Sequence, residues 1–499
     1  MGALEIVTLA LTHPNEFRIL LQFWNYHEPR RDITKKEEHA TSGWDRPTMR
    51  RCWELLDHSS RSFAAVIKEL DGDLARVICL FYIVLHDVKQ PLLRSFHEKT
   101  ITPGWSFNGN GPDEKDRIVL VDYPVIVEEL LRLEPAYLPR DIVDICHKME
   151  TGMADFAHRA ALSSEPLALN TIEEYDLYCH YVAGLVGEGL SRLFSATKKE
   201  SPRIAQQLEL SNSLGLLLQK TNIIRDFRED ADERRFFWPR EIWGSAEFSP
   251  DGRTPATDIL QLLREPKRAA WVQSAMVVDA LRHTCDALDY LRLLKNQSVF
   301  NFAAIPATMA LATLDLCFMN TTMFERNIKI RKAKAAELIM RSTNPREVAL
   351  IFKEYARSIH AKAHPADPNF LRISVACAKI EHWAERNYPS FIRLPSSSSS
   401  PSSPTGPSFD PADARSRIAI ADAETDRRAT EEKRLLEIRE RIAGNANGNG
   451  NGNDTLSAGA LKQQSQGPPW DFLAFVGAAV FLVMAISIGI ALAILYFTA

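Results

Sequence analysis

The stretch LQKTNIIRDFRED at residues 218–230 carries the pattern on which the fold prediction depends. Its polar residues recur at steps of three and four: Gln219, Asn222, Asp226 and Asp230. On a helix these residues share one face, and the apolar residues between them predict that the other faces pack against neighbours. The stretch therefore predicts a buried helix whose polar face lines a site.

Asp226 and Asp230 are the first candidates for chemistry in this stretch. Two carboxylates four residues apart repel each other on a helix, and a cation between them reverses that interaction. Mg²⁺ binds oxygen ligands and commonly joins one or two carboxylates to a substrate phosphate. The two aspartates are thus candidate magnesium ligands, and an acidic, solvated helix end is the alternative.

Helical patterns extend over residues 1–390. Apolar residues recur with the helical period at 62–85, 178–194, 211–230 and 269–294. Alternating strand patterns bounded by Asn-Gly or Asp-Gly turns are almost absent, and no glycine-rich dinucleotide motif follows a strand. We therefore expect an all-α fold with one large helical domain over 1–390. The net charge of −4 over 499 residues provides no basic field for nucleic acid.

The C-terminal region differs from this body. Residues 395–469 are rich in serine, proline, glycine and asparagine, which predicts a flexible linker; its charged stretch at 410–442 has the composition of a solvated helix. Residues 472–498 contain no charged residue, and about 20 apolar residues suffice for a helix to cross a bilayer. With Trp470 before it, we expect a single transmembrane anchor at 470–498, in the endoplasmic reticulum, with the body in the cytosol.

A second helical stretch, YCHYVAGLVGEGLSRLF at residues 178–194, contains two tyrosines and three glycines. Each glycine in a helix interior costs about 1 kcal/mol relative to alanine, so three of them predict close approach by another helix or by a long apolar ligand. Tyr178 is a candidate for proton exchange with a reacting group, because a buried tyrosine hydroxyl can donate or accept a proton. Plain helix packing is the alternative.

Aromatic and basic clusters complete the set of candidates. Phe300 and Phe302 lie two positions apart and would point to different sides of a helix. An aromatic face stabilises a nearby cation by about 0.5–2 kcal/mol, while core packing is the alternative reading of both rings. Two clusters of side chains could bind phosphate through hydroxyl or basic groups. The first is Ser60, Arg61 and Ser62, and the second is Lys329 and Arg331.

Together these stretches resemble the squalene synthases, head-to-head prenyltransferases of the helical isoprenoid-synthase fold. The matching stretches occur in the family's order: SRSFAAVI (60–67), FYIVL (81–85), EKDR (114–117), 178–196, 218–230, FWP (237–239), NQSVFNFAAIP (296–306) and KIRK (329–332). The resemblance implies a helical bundle with a central cavity for two farnesyl diphosphates. There Mg²⁺ would assist their condensation to presqualene diphosphate, and NADPH would reduce that product to squalene for sterol biosynthesis.

The resemblance also implies roles for single residues. Asp226 and Asp230 would hold Mg²⁺ on a diphosphate, and Tyr178 would handle the proton of the coupling step. Phe302, with Phe300, would shield the carbocations. Substrate binding would fall to Ser60, Arg61, Ser62, Tyr82, Gln219, Asn222 and Arg225. Contacts to the phosphates of NADPH would come from Arg61, Arg225, Lys329 and Arg331. A monomeric catalytic domain is expected.

One motif of the family is missing from this chain. After FYIVL the family continues with an arginine and an acidic motif of the form D-x-x-E-D, whereas this chain reads HDVKQPLLRSFHE at 86–98. Asp87 and Glu98 are the nearby carboxylates, and neither has that spacing. Losing a set of metal ligands should raise the reaction barrier by several kcal/mol. Either this sequence lacks a short segment, or the protein is an impaired or noncatalytic membrane-tethered paralogue. A related synthase that stops before reduction is a third alternative.

Overall fold

The computed structural model describes residues 3–26, 31–59, 61–87, 95–109, 111, 117–133, 138–162, 168–249 and 251–390. Within these ranges the side chains of 3–7, 61–62, 86–87, 138–140 and 157–162 are not described. The chain divides into two units, Met1–Arg427 and Arg428–Ala499, and every described residue belongs to the first. The predicted linker at 395–469, its charged helix at 410–442 and the predicted anchor at 470–498 lie outside the described residues.

Helices make up the described part of the chain. The α-helices are α1 Ala3–Thr12, α2 Pro14–Trp24, α3 His39–Ser42, α4 Pro47–Ser59, α5 Arg61–Lys68, α6 Leu74–Asp87, α7 Phe96–Lys99, α8 Arg117–Val121, α9 Tyr123–Leu131, α10 Asp144–Leu162, α11 Ile172–Cys179, α12 Leu185–Ala196, α13 Leu208–Arg225, α14 Phe227–Asp232, α15 Arg240–Trp243, α16 Pro266–Leu281, α17 Thr284–Leu293, α18 Gln297–Cys317, α19 Lys332–Arg341, α20 Pro345–Lys362 and α21 Phe370–Asn387.

Shorter helical turns connect these elements. Two are π-helical, at Leu138–Val143 and His180–Gly184. Five are 3₁₀ turns: Lys36–Glu38, Ile204–Gln206, Ala246–Phe248, Ile259–Leu263 and Thr321–Phe324. Among the described residues, extended backbone pairs at one isolated parallel bridge, between Ala168 and Phe236. The predicted all-α fold is confirmed.

Several predicted helices are divided in the structure. The pattern at 62–85 spans α5 and α6, which are separated by a turn where Gly72 has a φ of +62°. The pattern at 211–230 spans α13 and α14, with the break at Asp226. Hydrophobic periodicity reports which residues face the core, and two short helices packed on one core keep the same periodicity as one long helix. The breaks were therefore not visible in the pattern.

Helix α13 lies at the centre of the bundle. It packs against α11, α12, α16, α17 and α18, and most of its residues are buried. Its buried residues include Ser211, Ser213, Lys220 and Thr221 as well as apolar ones, so the helix is enclosed on most sides although half of its residues are polar. Helix α18 is also largely enclosed: among the described helices it alone is long and apolar enough to cross a bilayer, but 67% of its apolar window is buried inside the body.

Two glycines bring the backbone of α13 close to α12 and to the π turn His180–Gly184 that precedes α12. A Cβ on Gly187 would lie 2.6 Å from the carbonyl oxygen of Ser211, and a Cβ on Gly215 would lie 2.5 Å from that of Ala183. Both distances are shorter than van der Waals contact, so neither position has room for a side chain. The sequence left two explanations for the glycines at 178–194: the contact with α13 supports a neighbouring helix at Gly187, and the same residue also lines an apolar cavity, where a long apolar ligand could approach.

A buried lysine ties α13 to two neighbouring helices. The Lys220 side chain is fully buried, and its Nζ lies 2.5 Å from an oxygen of Asp176 on α11 and 2.5 Å from an oxygen of Asp279 on α16. Arg282, at the end of α16, pairs with both aspartates. Burial alone would raise the pKa of Asp176, but hydrogen bonds and charge from Arg282 and Lys220 hold that pKa below its usual value. In this network the two positive charges of Lys220 and Arg282 balance the two negative charges of Asp176 and Asp279.

Replacing Lys220 by methionine should lower the free energy of unfolding by about 3–5 kcal/mol, because two aspartates would lose their buried partner. Denaturant unfolding of the full-length chain in detergent, followed by circular dichroism, measures the change. Lys68→Met is the matched control, since Lys68 pairs with the exposed Asp57 at 2.6 Å and its loss should cost at most about 1 kcal/mol. Equal losses of unfolding free energy in the two variants would contradict the role of Lys220 as the buried partner of Asp176 and Asp279.

Candidate active site

An apolar cavity of about 210 Å³ lies beside α13. Its walls come from α5, α6, α10, α12, α13, α17, α18 and the π turn His180–Gly184. Four of the predicted site residues line it: Tyr82, Gln219, Asn222 and Phe302. Gln219 and Asn222 share one face of α13, as their spacing predicts. The structure thus brings these four together around one space.

Aromatic rings form much of the cavity wall. Phe63 stacks on Tyr82 with ring centroids 5.3 Å apart, and Phe302 meets Phe194 edge to face at 6.1 Å. All four rings line the cavity. Phe300, by contrast, is buried at 3% exposure outside the lining, because residues two apart on α18 point to different sides. The wall therefore presents Phe302, and not Phe300, to whatever enters.

Polar groups are few in this wall. Ser211, Gln219, Asn222 and the hydroxyls of Tyr82 and Tyr290 are among the lining side chains, and the Tyr290 hydroxyl lies 2.7 Å from that of Ser191. No carboxylate appears among the described residues that line the cavity. The described part of the cavity wall is therefore suited to an apolar chain, and the acidic segment that follows α13 carries the carboxylates of Asp226 and Asp230.

Asp226 and Asp230 follow directly on the helix that lines the cavity. Asp226 ends α13 and begins α14, and its carboxylate accepts hydrogen bonds from Arg225 Nε at 2.7 Å and Nη2 at 2.6 Å. The Asp230 carboxylate accepts from Arg235 Nη2 at 2.8 Å. Backbone bonds continue the helical path, with Asp230 N donating to Asp226 O at 2.9 Å. Each predicted metal ligand is thus paired with an arginine.

The two carboxylates of this segment are exposed to solvent to different degrees. The Asp230 side chain is 13% exposed, and burial raises its pKa above the usual value although Arg235 opposes the shift. The Asp226 side chain is 24% exposed. Two hard oxygen donors one helical turn apart, accessible to solvent and balanced by arginines, fit Mg²⁺, which takes carboxylate oxygens and keeps several waters. The arginines would then be free to turn toward phosphate.

Tyr178 lies near the acidic segment and outside the cavity lining. Its ring stacks on Phe237 with centroids 5.0 Å apart and meets Phe156 edge to face at 5.4 Å. Burial raises the pKa of the Tyr178 hydroxyl well above its ordinary value, and the charge of Asp230 adds to that shift while Arg235 opposes it. The hydroxyl is therefore held in its neutral form close to Asp230.

The basic stretch at 329–332 lines a second space. A groove of about 840 Å³ is bordered by Lys329 and Arg331, together with Arg326 and Lys334, and Arg331 pairs with Glu16 on α2. The groove shares no lining residue with the cavity. Its 3₁₀ turn Thr321–Phe324 reaches the acidic segment: the rings of Phe324 and Phe227 lie 5.1 Å apart.

The remaining predicted residues are only partly described. Ser60 lies outside the described residues, as do the side chains of Arg61 and Ser62, although α5 begins at Arg61 and its Phe63 lines the cavity. The region where the family has its acidic motif is also only partly described. Helix α6 ends at Asp87, residues 88–94 are not described, and Glu98 is exposed.

Sequence reasoning missed several residues that surround this site. Arg235 pairs with Asp230 and Phe237 stacks on Tyr178, but neither falls on the helical face marked by Gln219 and Asn222. Both come from the loop after α14. Phe237 does belong to the stretch 237–239 that resembles the family, which was the one available signal. No spacing rule connects Arg235 to the site.

Comparison with known proteins identifies the family. The family model described as squalene/phytoene synthase matches residues 56–334. The squalene synthase of Ganoderma lucidum is 58% identical over 459 residues, which cover 88% of this chain and 97% of that protein. The squalene synthase of Mycosarcoma maydis is 48% identical over 415 residues, 79% of this chain and 72% of that protein. The solved complex of TcSQS with the ligand E5700 covers 68% of this chain and 98% of its own, at 35% identity and a TM-score of 0.62.

These similarities confirm the resemblance to the squalene synthases, and they give no support to a noncatalytic paralogue. The family model alone covers more than half of the chain. The chain therefore belongs to the squalene/phytoene synthase family of prenyltransferases.

Proposed function

We propose that this chain joins two farnesyl diphosphates head to head into presqualene diphosphate and reduces that product to squalene with NADPH. The observation that carries the proposal is the order of two features along one chain segment: Gln219 and Asn222 of α13 line the aromatic cavity, and the acidic pair Asp226 and Asp230 follows where α13 gives way to α14. A farnesyl diphosphate has the same division, an apolar chain joined to a diphosphate.

The acidic segment is the proposed diphosphate site. Asp226 and Asp230 would hold Mg²⁺, which when bound neutralises the leaving diphosphate and so favours its departure. Arg225 and Arg235 pair with these carboxylates in the present structure. Once a cation takes over the carboxylates, both guanidiniums can donate to phosphate oxygens, for which their fork geometry is suited. Arg61, whose side chain is not described, is proposed for the same task.

The cavity is proposed to protect the carbocations. Phe302, Phe63 and Tyr82 present aromatic rings to the cavity, and such rings stabilise a cation more strongly where water is excluded. Its volume of about 210 Å³ is below the range of about 300–1,000 Å³ typical of ligand pockets. Two farnesyl chains therefore require its walls to move apart on binding. Phe300 would act indirectly, by supporting α18 behind Phe302.

Tyr178 is proposed for the proton that the coupling step releases. Because burial favours its neutral form, the hydroxyl must pass on its own proton as it accepts another. Asp230, whose charge affects the pKa of Tyr178, is the proposed acceptor of that proton. The stacked ring of Phe237 fixes the orientation of the phenol.

The groove at Lys329 and Arg331 is proposed for the phosphates of NADPH, which when bound supplies the hydride of the second step. Five basic and three acidic side chains are among the residues that line this groove, and the three carboxylates, of Glu16, Glu337 and Asp315, pair with Arg331, Lys334 and Lys362. A phosphate would compete with Glu16 for the Arg331 guanidinium. The contact between Phe324 and Phe227 places the groove next to the acidic segment.

The stretch after Leu85 bears on catalytic rate. With no carboxylate in the described cavity wall, Asp226 and Asp230 are the proposed magnesium ligands of this chain as it stands. A complete D-x-x-E-D segment would add a second set.

The body at 1–390 is proposed to act as a cytosolic monomer, tethered by the linker at 395–469 and the anchor at 470–498 to the membrane of the endoplasmic reticulum.

Asp226→Asn and Asp230→Asn should each lower the rate of presqualene diphosphate formation by about 100-fold or more, because a metal ligand that contributes several kcal/mol is lost. The rate is measured with radiolabelled farnesyl diphosphate over a Mg²⁺ titration. Asp232→Asn is the matched control: its side chain is 64% exposed and pairs with Arg228, so its rate should stay within about twofold of the parent. An equal loss in the control would contradict the assignment.

The combined change Lys329→Gln and Arg331→Gln should raise the KM for NADPH by about tenfold or more, since charge-assisted contacts worth about 1.5–3 kcal/mol each are removed. The first step should keep its rate, so presqualene diphosphate should accumulate at low NADPH. Product ratios at several NADPH concentrations measure this. Lys332→Gln, at the exposed start of α19, serves as control. A parallel loss of the first step would refute the assignment of the groove.

A further inference from the structure

We propose that His97, His147 and Glu150 form a binding site for a zinc-type transition-metal ion, distinct from the magnesium site. The three side chains come from α7 and α10 and offer one ligand atom each, all within 4.8 Å of one another. None of the three lines the central cavity or the basic groove. The proposal does not depend on the proposed catalytic function.

The spacing of the three ligand atoms matches the edges of a metal polyhedron. His147 Nδ1 lies 3.3 Å from His97 Nδ1 and 3.1 Å from Glu150 Oε1, and His97 Nδ1 contacts the same oxygen. With metal–ligand bonds of about 2.0–2.1 Å, two ligands in a tetrahedral array are about 3.3 Å apart. Two of the three edges have this length, and an ion would move the third pair apart.

Hydrogen bonds to Glu150 account for two of the three contacts in this cluster, because one carboxylate oxygen can accept from both imidazoles. Both imidazoles direct Nδ1 at one carboxylate oxygen and at each other, and two ring nitrogens can share a hydrogen bond only when one is protonated and the other is not. A metal ion accepts lone pairs from all three atoms at once. Two imidazoles and one carboxylate favour Zn²⁺ and related ions over Mg²⁺, which prefers oxygen alone.

The surroundings support a ligand role for Glu150. Its side chain is 3% exposed, and its second oxygen accepts a hydrogen bond from the backbone N–H of His97 at 2.9 Å. Such a contact holds a carboxylate in place for its metal. His97 is 24% and His147 is 56% exposed, so an ion can enter from the side of His147. A water or an anion would complete the coordination there.

A bound ion would fasten α7 to α10. Helix α7 has four residues, too few to be stable by themselves, and it directly follows the undescribed stretch 88–94. His147 and Glu150 lie three residues apart on one face of α10, a helix that also contributes Met149 to the cavity wall. The ion would thus hold the chain after α6 against a helix of the active-site cavity, and would stabilise the folded state.

The test is metal binding by the untagged full-length chain in detergent, with Mg²⁺ in excess throughout. The parent and the variant His147→Ala are dialysed against a limited concentration of Zn²⁺, and the zinc content of each is measured by mass spectrometry. The parent should hold one more zinc ion per chain than the variant. His147 is exposed, so its replacement by alanine should not disturb folding. Co²⁺ should give the visible absorption of a four-coordinate nitrogen and oxygen site. The melting temperature should rise with Zn²⁺, and Glu150→Gln should weaken zinc binding about 100-fold or more.

Two control variants complete the test. His147→Cys retains a zinc ligand and should recover most of the zinc, whereas His382→Ala, at an exposed histidine away from the cluster, should bind zinc like the parent. Equal zinc content in the parent and in His147→Ala would overturn the proposal. So would the absence of zinc from both, which would leave the hydrogen bonds of His97 and His147 to Glu150 as the explanation of the cluster.

Discussion

The burial of α13 on nearly every side is the constraint on which the rest of the structure depends. A central helix of this kind has to satisfy each polar side chain within the protein. Lys220 does so through Asp176 and Asp279, on the side where α11 and α16 pack. Gln219 and Asn222, its sequence neighbours, face the cavity instead. One helix therefore lies between the ion network of Lys220 on one side and the cavity lined by Gln219 and Asn222 on the other.

The C-terminal end of the same helix is the boundary between the apolar cavity and the charged segment of the proposed site. The cavity wall beside α13 is mostly aromatic and aliphatic, and Asp226 and Asp230 follow at the break where α13 ends and α14 begins. Carbocations and diphosphate need opposite surroundings: the first a dry aromatic wall, the second cations and hydrogen-bond donors. In the proposed reaction, their position at successive turns of one chain segment would keep the leaving group next to the cation that it leaves behind.

The sequence predicted those parts of the structure that depend on local spacing. The all-α fold, the shared face of Gln219 and Asn222 and the divergence of Phe300 from Phe302 all follow from helical periodicity. It could not predict contacts between distant segments, such as Arg235 with Asp230 or His97 with Glu150, since no period connects them. The breaks at Gly72 and Asp226 were also missed, because periodicity records burial and not continuity of the backbone.

The most direct test of the central claim is a product assay of the unchanged full-length chain with farnesyl diphosphate and Mg²⁺, with and without NADPH. We expect squalene in the presence of NADPH and presqualene diphosphate in its absence. A chain that is folded by circular dichroism yet makes neither product would contradict the account. Insertion of a D-x-x-E-D segment after Leu85 would then show whether that motif alone was lacking.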